Sequence, residues 1–168
     1  MTFVAGTTLS AADLNAVSGG VWTGTMSGGI SSGSVTASQY TSMLMSTETA
    51  NSGAFAVSFS GHAFSVSVAG YYRIDLQVGF DNTSTSGNRM AFLLKNYTAT
   101  TLAGSSPSGY YIRAAKSAAS TDSTAVAIGW SGYLTTTDQI MPGFRSTTVT
   151  GVMGSQPDTE LAITVIGA

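Results

Sequence analysis

The 168 residues include no cysteine, one histidine and three prolines, and only 8% of them are charged. Without cysteine there are no disulfides, no thiolate metal sites and no cysteine nucleophile. An ordinary soluble domain carries roughly 25% charged residues. A surface this poor in charge suits a protein held in an assembly better than one crowded free in solution. Lys and Arg number six, spaced singly from Arg73 to Arg145, and the net charge is −2. Nucleic-acid grooves need clustered cations to displace counterions, so nucleic acid is not an expected partner. No apolar run approaches the roughly 18 residues of a membrane span, and no basic stretch leads into an apolar leader core. Neither membrane insertion nor secretion is therefore expected.

Reactive groups are equally sparse. His62 is the one histidine, so any Ser-His-Asp triad must use it, yet it stands in a Ser60-Gly61-His62-Ala63 turn with no nucleophile motif nearby. Asp75, Asp81, Asp122, Asp138, Asp158 and Glu160 lack the spacing of a calcium loop. So few carboxylates also argue against a glycosidase pair. No glycine-rich stretch ends in the lysine of a phosphate loop; the glycines punctuate turns. These absences set the expectation of a non-enzymatic protein with no cofactor and no metal.

What the chain does hold is hydrophobic residues, 43% of the total, in a length that buries a real core as one domain. From Ala54 onward they alternate with a period of two. Phe55, Val57 and Phe59 share a face, as do Phe64, Val66 and Val68. Tyr72, Ile74, Leu76, Val78 and Phe80 oppose Tyr71, Arg73, Asp75 and Gln77. Met90, Phe92 and Leu94 oppose Arg89, Ala91 and Lys95. Val126, Ile128 and Trp130 follow, then Ile140 and Phe144, then Leu161, Ile163 and Val165. Such alternation marks antiparallel strands with one face on a core. Turn signals at Ser60-Gly61, Ala69-Gly70, Asp81 to Asn88, Gly104 to Gly109 and Pro142-Gly143 separate them. The pattern predicts an all-β, two-sheet sandwich or jelly roll with its core led by Phe55, Val57, Phe59, Tyr72, Ile74, Leu76, Phe92, Ile128 and Trp130.

The opposite faces are informative too. Ala125, Ala127 and Gly129, and likewise Ala162, Thr164 and Ile166, are small or apolar where a solvated sheet carries Lys and Glu. Either they pack against another subunit or the surface is simply rich in Ala, Ser and Thr. Tyr110 and Tyr111 beside Arg113, and Trp130 with Tyr133, are the aromatic candidates for stacking on a sugar or filling a partner's pocket; packing within the protein is the alternative.

Residues 1–17 differ from the rest. Ser10 can cap a helix and Asp13 can reach back to complete the box, with Leu9 and Leu14 as a staple. Gly19-Gly20 stop the helix just after Val17, and so short a helix needs a surface to dock on, its own domain or a neighbour. Residues 18–53 read as a Gly/Ser-rich linker with one or two weak edge strands.

The run Thr2-Phe3-Val4-Ala5-Gly6-Thr7-Thr8-Leu9-Ser10-Ala11-Ala12-Asp13-Leu14-Asn15-Ala16-Val17 resembles the N-terminal segment of many phage tail-fibre, minor-tail and head-decoration proteins. A second resemblance spans most of residues 54–168. Phe64 to Ile74 with its Gly70-Tyr71-Tyr72 turn, Asn88 to Asn96 ending on Lys95-Asn96, and Ala125 to Ile140 with Thr137-Asp138-Gln139-Ile140 are similar to the tumour-necrosis-factor-like and complement-globular-head jelly rolls, with Thr137 where Gly is usual. Leu161 to Ile166 resembles that family's closing strand.

Together the resemblances imply an antiparallel jelly-roll domain over residues 54–168, behind a linker, with residues 1–17 as an attachment segment. They imply a homotrimer in a virion, assembled in the host cytoplasm, of minor-tail, fibre or head-decoration type. Phe3, Leu9, Asp13, Leu14 and Val17 would contact other phage virion proteins. In the fibre version Tyr110, Tyr111 and Arg113 would meet a host surface glycan. The alternative is a free carbohydrate-binding module or a trimeric ligand-like domain.

Overall fold

A computed structural model of the chain describes residues 20–26, 36–45, 47–52, 55–81, 87–97, 103–104, 111–118, 124–148 and 159–167. The expected attachment residues Phe3, Leu9, Asp13, Leu14 and Val17, and also Tyr110, lie outside them. The described residues form twelve strands: β1 (Val21–Thr25), β2 (Tyr40–Ser42), β3 (Thr47–Ser52), β4 (Val57–Ser60), β5 (Ala63–Val66), β6 (Gly70–Phe80), β7 (Gly87–Lys95), β8 (Ala103–Gly104), β9 (Tyr111–Ala118), β10 (Thr124–Leu134), β11 (Ile140–Ser146) and β12 (Glu160–Gly167). No helix occurs among the described residues. The expected all-β class holds.

The strands form two antiparallel sheets. Sheet one runs β10-β6-β12-β1-β3. In sheet two, β11 is central: β7 and then β9 lie on one side, while β5 with β4 and β2 with β8 share the other. The core lies between the sheets. Long β6 supplies its middle, because Tyr72, Ile74, Leu76, Val78 and Phe80 all point inward and are fully buried. Burying each such side chain stabilises by about 1.5–3 kcal/mol. Aromatic edges bridge the layers, with Phe80 and Phe144 centroids 5.9 Å apart and Trp22 and Phe59 centroids 5.5 Å apart.

Four expectations need correction. Residues 18–53 hold more than a linker with one or two weak edge strands: β1, β2 and β3 belong to the two sheets, β3 at an edge but β1 interior between β12 and β3. Trp22 is 2% exposed and Met43 and Met45 join the same core. Gly24, which reads as linker punctuation, leaves room for the indole: a Cβ there would fall 2.2 Å from Trp22 Cη2. The jelly roll thus draws on residues well before position 54.

Strand β7 presents the other parity. Ala91 and Leu93 enter the inter-sheet core, and Arg89 on that face is buried, which pushes its guanidinium below the usual range. Phe92 and Leu94 point to the far side, where they build a second cluster with Tyr40, Ala63 and Met141. The run Met90 to Leu94 is apolar at every position, so hydrophobicity alone cannot choose its face.

Pro142-Gly143 is strand, not turn. The Pro142 carbonyl accepts from Met43 N at 2.9 Å. A strand residue's N and C=O point the same way, so the missing N–H falls where the neighbour of β11 changes from β5 to β2. Gly143 lies under the Phe92 ring, where a Cβ would come within 2.3 Å of Cζ. Finally, Val57, Phe59 and Trp130 are only partly buried and pack on the margin of the core.

Candidate functional site

The most distinctive surface is the outer face of β10-β6-β12. Continuous registers align Tyr133 with Tyr71, Ser131 with Arg73, Gly129 with Asp75 and Ala127 with Gln77 across β10 and β6. Thr164 flanks Arg73 and Ala162 flanks Asp75 on the β12 side. The small outward residues foreseen in the sequence therefore share one continuous face. Tyr71 and Tyr133 stack edge to face at 5.3 Å between centroids yet remain 59% and 48% exposed. A bulge between Val165 and Gly167 leaves Ile166 outside the ladder, 57% exposed beside them.

Beyond this aromatic end the face dips. A depression of about 530 Å³ is bounded by Arg73, Asp75, Gln77 and Glu160, with Ala127, Gly129 and Ala162 around it. Arg73 Nε and Nη2 donate to the two Asp75 oxygens at 2.8 and 3.1 Å. Gly129 keeps this pair accessible, since a Cβ there would stand 2.9 Å from Asp75 Oδ1. The arrangement offers apolar area, stacked rings, one cation (Arg73) and two carboxylates (Asp75 and Glu160).

The other candidates separate. Tyr111 and Arg113 are in β9, paired with Leu94 and Phe92 of β7. Trp130 and Tyr133 do not form a joint aromatic site, because their positions in β10 have opposite parity: Trp130 faces the sheets' interior and Tyr133 faces outward. Trp130 instead walls an apolar cavity of about 460 Å³ with Ile74, Leu93, Ile112 and Ile140, and Leu94, Lys95 and Asn96 complete the lining.

His62 meets a serine that sequence spacing could not reveal. Its Nδ1 lies 2.7 Å from Ser42 Oγ, but Ser42 is buried. No cluster of three or more His, Cys, Asp and Glu side chains occurs among the described residues. The contact ties the β4–β5 turn to β2.

Two stretches that carried the jelly-roll resemblance also meet. Asn96, at positive φ after β7, donates to Asp138 Oδ1 at 2.6 Å and accepts from Gln139 N at 2.9 Å. Thr135 N donates to Asp138 Oδ2 at 2.8 Å, and Lys95 Nζ lies 3.1 Å from the same oxygen. Partial burial pushes the Asp138 carboxyl up, but the Thr135, Asn96 and Lys95 donors outweigh it and hold the pKa at about 2.

No protein-family model matches the sequence, and no curated protein matches it. Solved structures do. Murine APRIL at pH 5.0 superposes with a TM-score of 0.62 at 14% identity, over 88% of this chain and 98% of that one. Eiger TNF from S. frugiperda gives 0.57 at 10% identity, over 89% and 92%. The fold is a tumour-necrosis-factor-like jelly roll.

Proposed function

We propose that this chain is a non-enzymatic structural protein of a phage particle that assembles as a homotrimer through the outer face of β10-β6-β12. One observation carries the assembly reading: Tyr71, Tyr133 and Ile166 are exposed on the same face as Ala125, Ala127 and Gly129. Monomeric soluble proteins seldom leave such a surface open, and a closed rotational assembly covers it without leaving a free end. The jelly-roll resemblance supports three copies. The resemblance of residues 2–17 to phage tail and decoration proteins supports the virion, with Phe3, Leu9, Asp13, Leu14 and Val17 as the contacts to other virion proteins.

Deleting residues 1–17 tests the reading. The truncated chain keeps its mass in light scattering and its melting temperature, and no longer joins the particle. A truncated chain that still joins the particle overturns the attachment role. One that cannot fold places the segment in the domain's own core.

A second reading, a free ligand-like domain, draws on the likeness to an APRIL and to Eiger TNF. Its distinguishing outcome is a full-length chain that assembles normally yet never enters the particle.

A further inference from the structure

The face proposed for self-association has an ion pair near its centre. Arg73 and Asp75 lie on β6 between β10 and β12, ringed by Ser131, Gly129, Thr164 and Ala162. Their side chains are 61% and 41% exposed. In a chain with only 8% charged residues, this position calls for a physical reason. Stability of the single chain does not supply one, because an exposed ion pair between neighbours on a strand contributes little.

Association does supply one. In a closed rotational assembly, residues of a face that lies on the symmetry axis meet their own copies, so charges there must satisfy one another. A lone charge of either sign would meet its like and repel. Adjacent opposite charges can instead satisfy each other across the interface. The bidentate contact engages Nε and Nη2 of Arg73 with both Asp75 oxygens. The guanidinium's remaining N–H donors, and the remaining lone pairs of the carboxylate, are available to a neighbour. The small flanking residues let that neighbour approach, with Gly129 the tightest case.

We propose that Arg73 and Asp75 set the register of the oligomer, the guanidinium of one copy donating to the Asp75 carboxylate of the next. This rests on the outer face of β10-β6-β12 being the self-association surface. The pair then excludes slipped arrangements, in which desolvated charges would lack partners.

Sedimentation equilibrium of the full chain tests it with Arg73→Asp, Asp75→Arg and the double exchange R73D/D75R. Arg73→Asp leaves only carboxylates around the depression and Asp75→Arg sets two cations side by side, and each weakens association by roughly a hundredfold or more, while the double exchange restores it. Single variants that associate like the parent, or a double exchange that restores nothing, overturn the register role. Tyr133→Glu separates the two claims. If it splits the assembly while the charge variants do not, the face survives and the register role fails. If neither it nor the charge variants change the assembly, the face itself is wrong. Should a reversal variant not fold, Arg73→Gln and Asp75→Asn take its place, with a loss of roughly tenfold expected and unchanged association overturning the proposal.

Discussion

The two sheets treat their outer faces in opposite ways. Sheet one buries its inner side and leaves Tyr71, Arg73, Asp75, Tyr133 and Ile166 open. Sheet two is buried on both sides at β7 and β11, where Phe92, Leu94 and Met141 form a cluster on the face away from the main core. The first sheet therefore has a surface to offer a partner. At β7 and β11 the second has spent its apolar residues within the chain. That difference supports sheet one as the proposed assembly surface, and it also explains which strands were readable in advance.

Substitutions at matched positions break or sharpen the contrast. Phe92→Ala on the outer face of sheet two costs about 3–5 kcal/mol, because it empties a fully enclosed site beside Gly143. Chemical denaturation measures it, and a loss below about 1 kcal/mol would mean that this face is as open as that of sheet one. Trp22→Ala costs about the same. A negligible loss there would return β1 to the role of linker. Leu76→Ala, on the inner side of β6, costs about 2–5 kcal/mol by the same cavity mechanism.

The Asp138 corner has a smaller and pH-dependent effect. Its carboxyl drops from 3.8 to about 2 on folding, so its contribution is fully present above the unfolded value and is lost as pH falls through about 2. Asp138→Asn costs about 1–2 kcal/mol at neutral pH. The gap between variant and parent closes in acid. A gap that stays constant from pH 6 to pH 2 would show that the charge is irrelevant there.

Sequence pattern revealed β6, β10 and β12 because each separates its apolar and outward residues cleanly. The same clarity made the outer face legible: Ala125, Ala127, Gly129, Ala162, Thr164 and Ile166 were visible as a set before their strands were aligned. It did not reveal β1, where Gly24 beside Trp22 imitates a linker while making room for the ring. It misled at β7, because a strand buried on both faces satisfies either parity. Pro142-Gly143 misled for a related reason, since both residues answer to neighbours distant in sequence: β2 for Pro142 and Phe92 for Gly143. The Ser42–His62 contact and the Asn96–Asp138 corner are likewise long-range pairings that no local spacing encodes. Arg73 and Asp75 could be placed on one face from their separation, but their significance depends on β10 and β12 beside them.

Ala127 is the matched position on sheet one. It is exposed beside the depression, so Ala127→Arg changes the folding stability of the chain by no more than about 0.5 kcal/mol. Its effect falls on assembly. Sedimentation velocity of the parent and Ala127→Arg side by side at micromolar concentration tests the assembly surface most directly. The account predicts a parent near three times the 17.1 kDa chain mass and a variant near that mass itself. A parent already at 17.1 kDa, or a variant that sediments with the parent as a trimer, would contradict it.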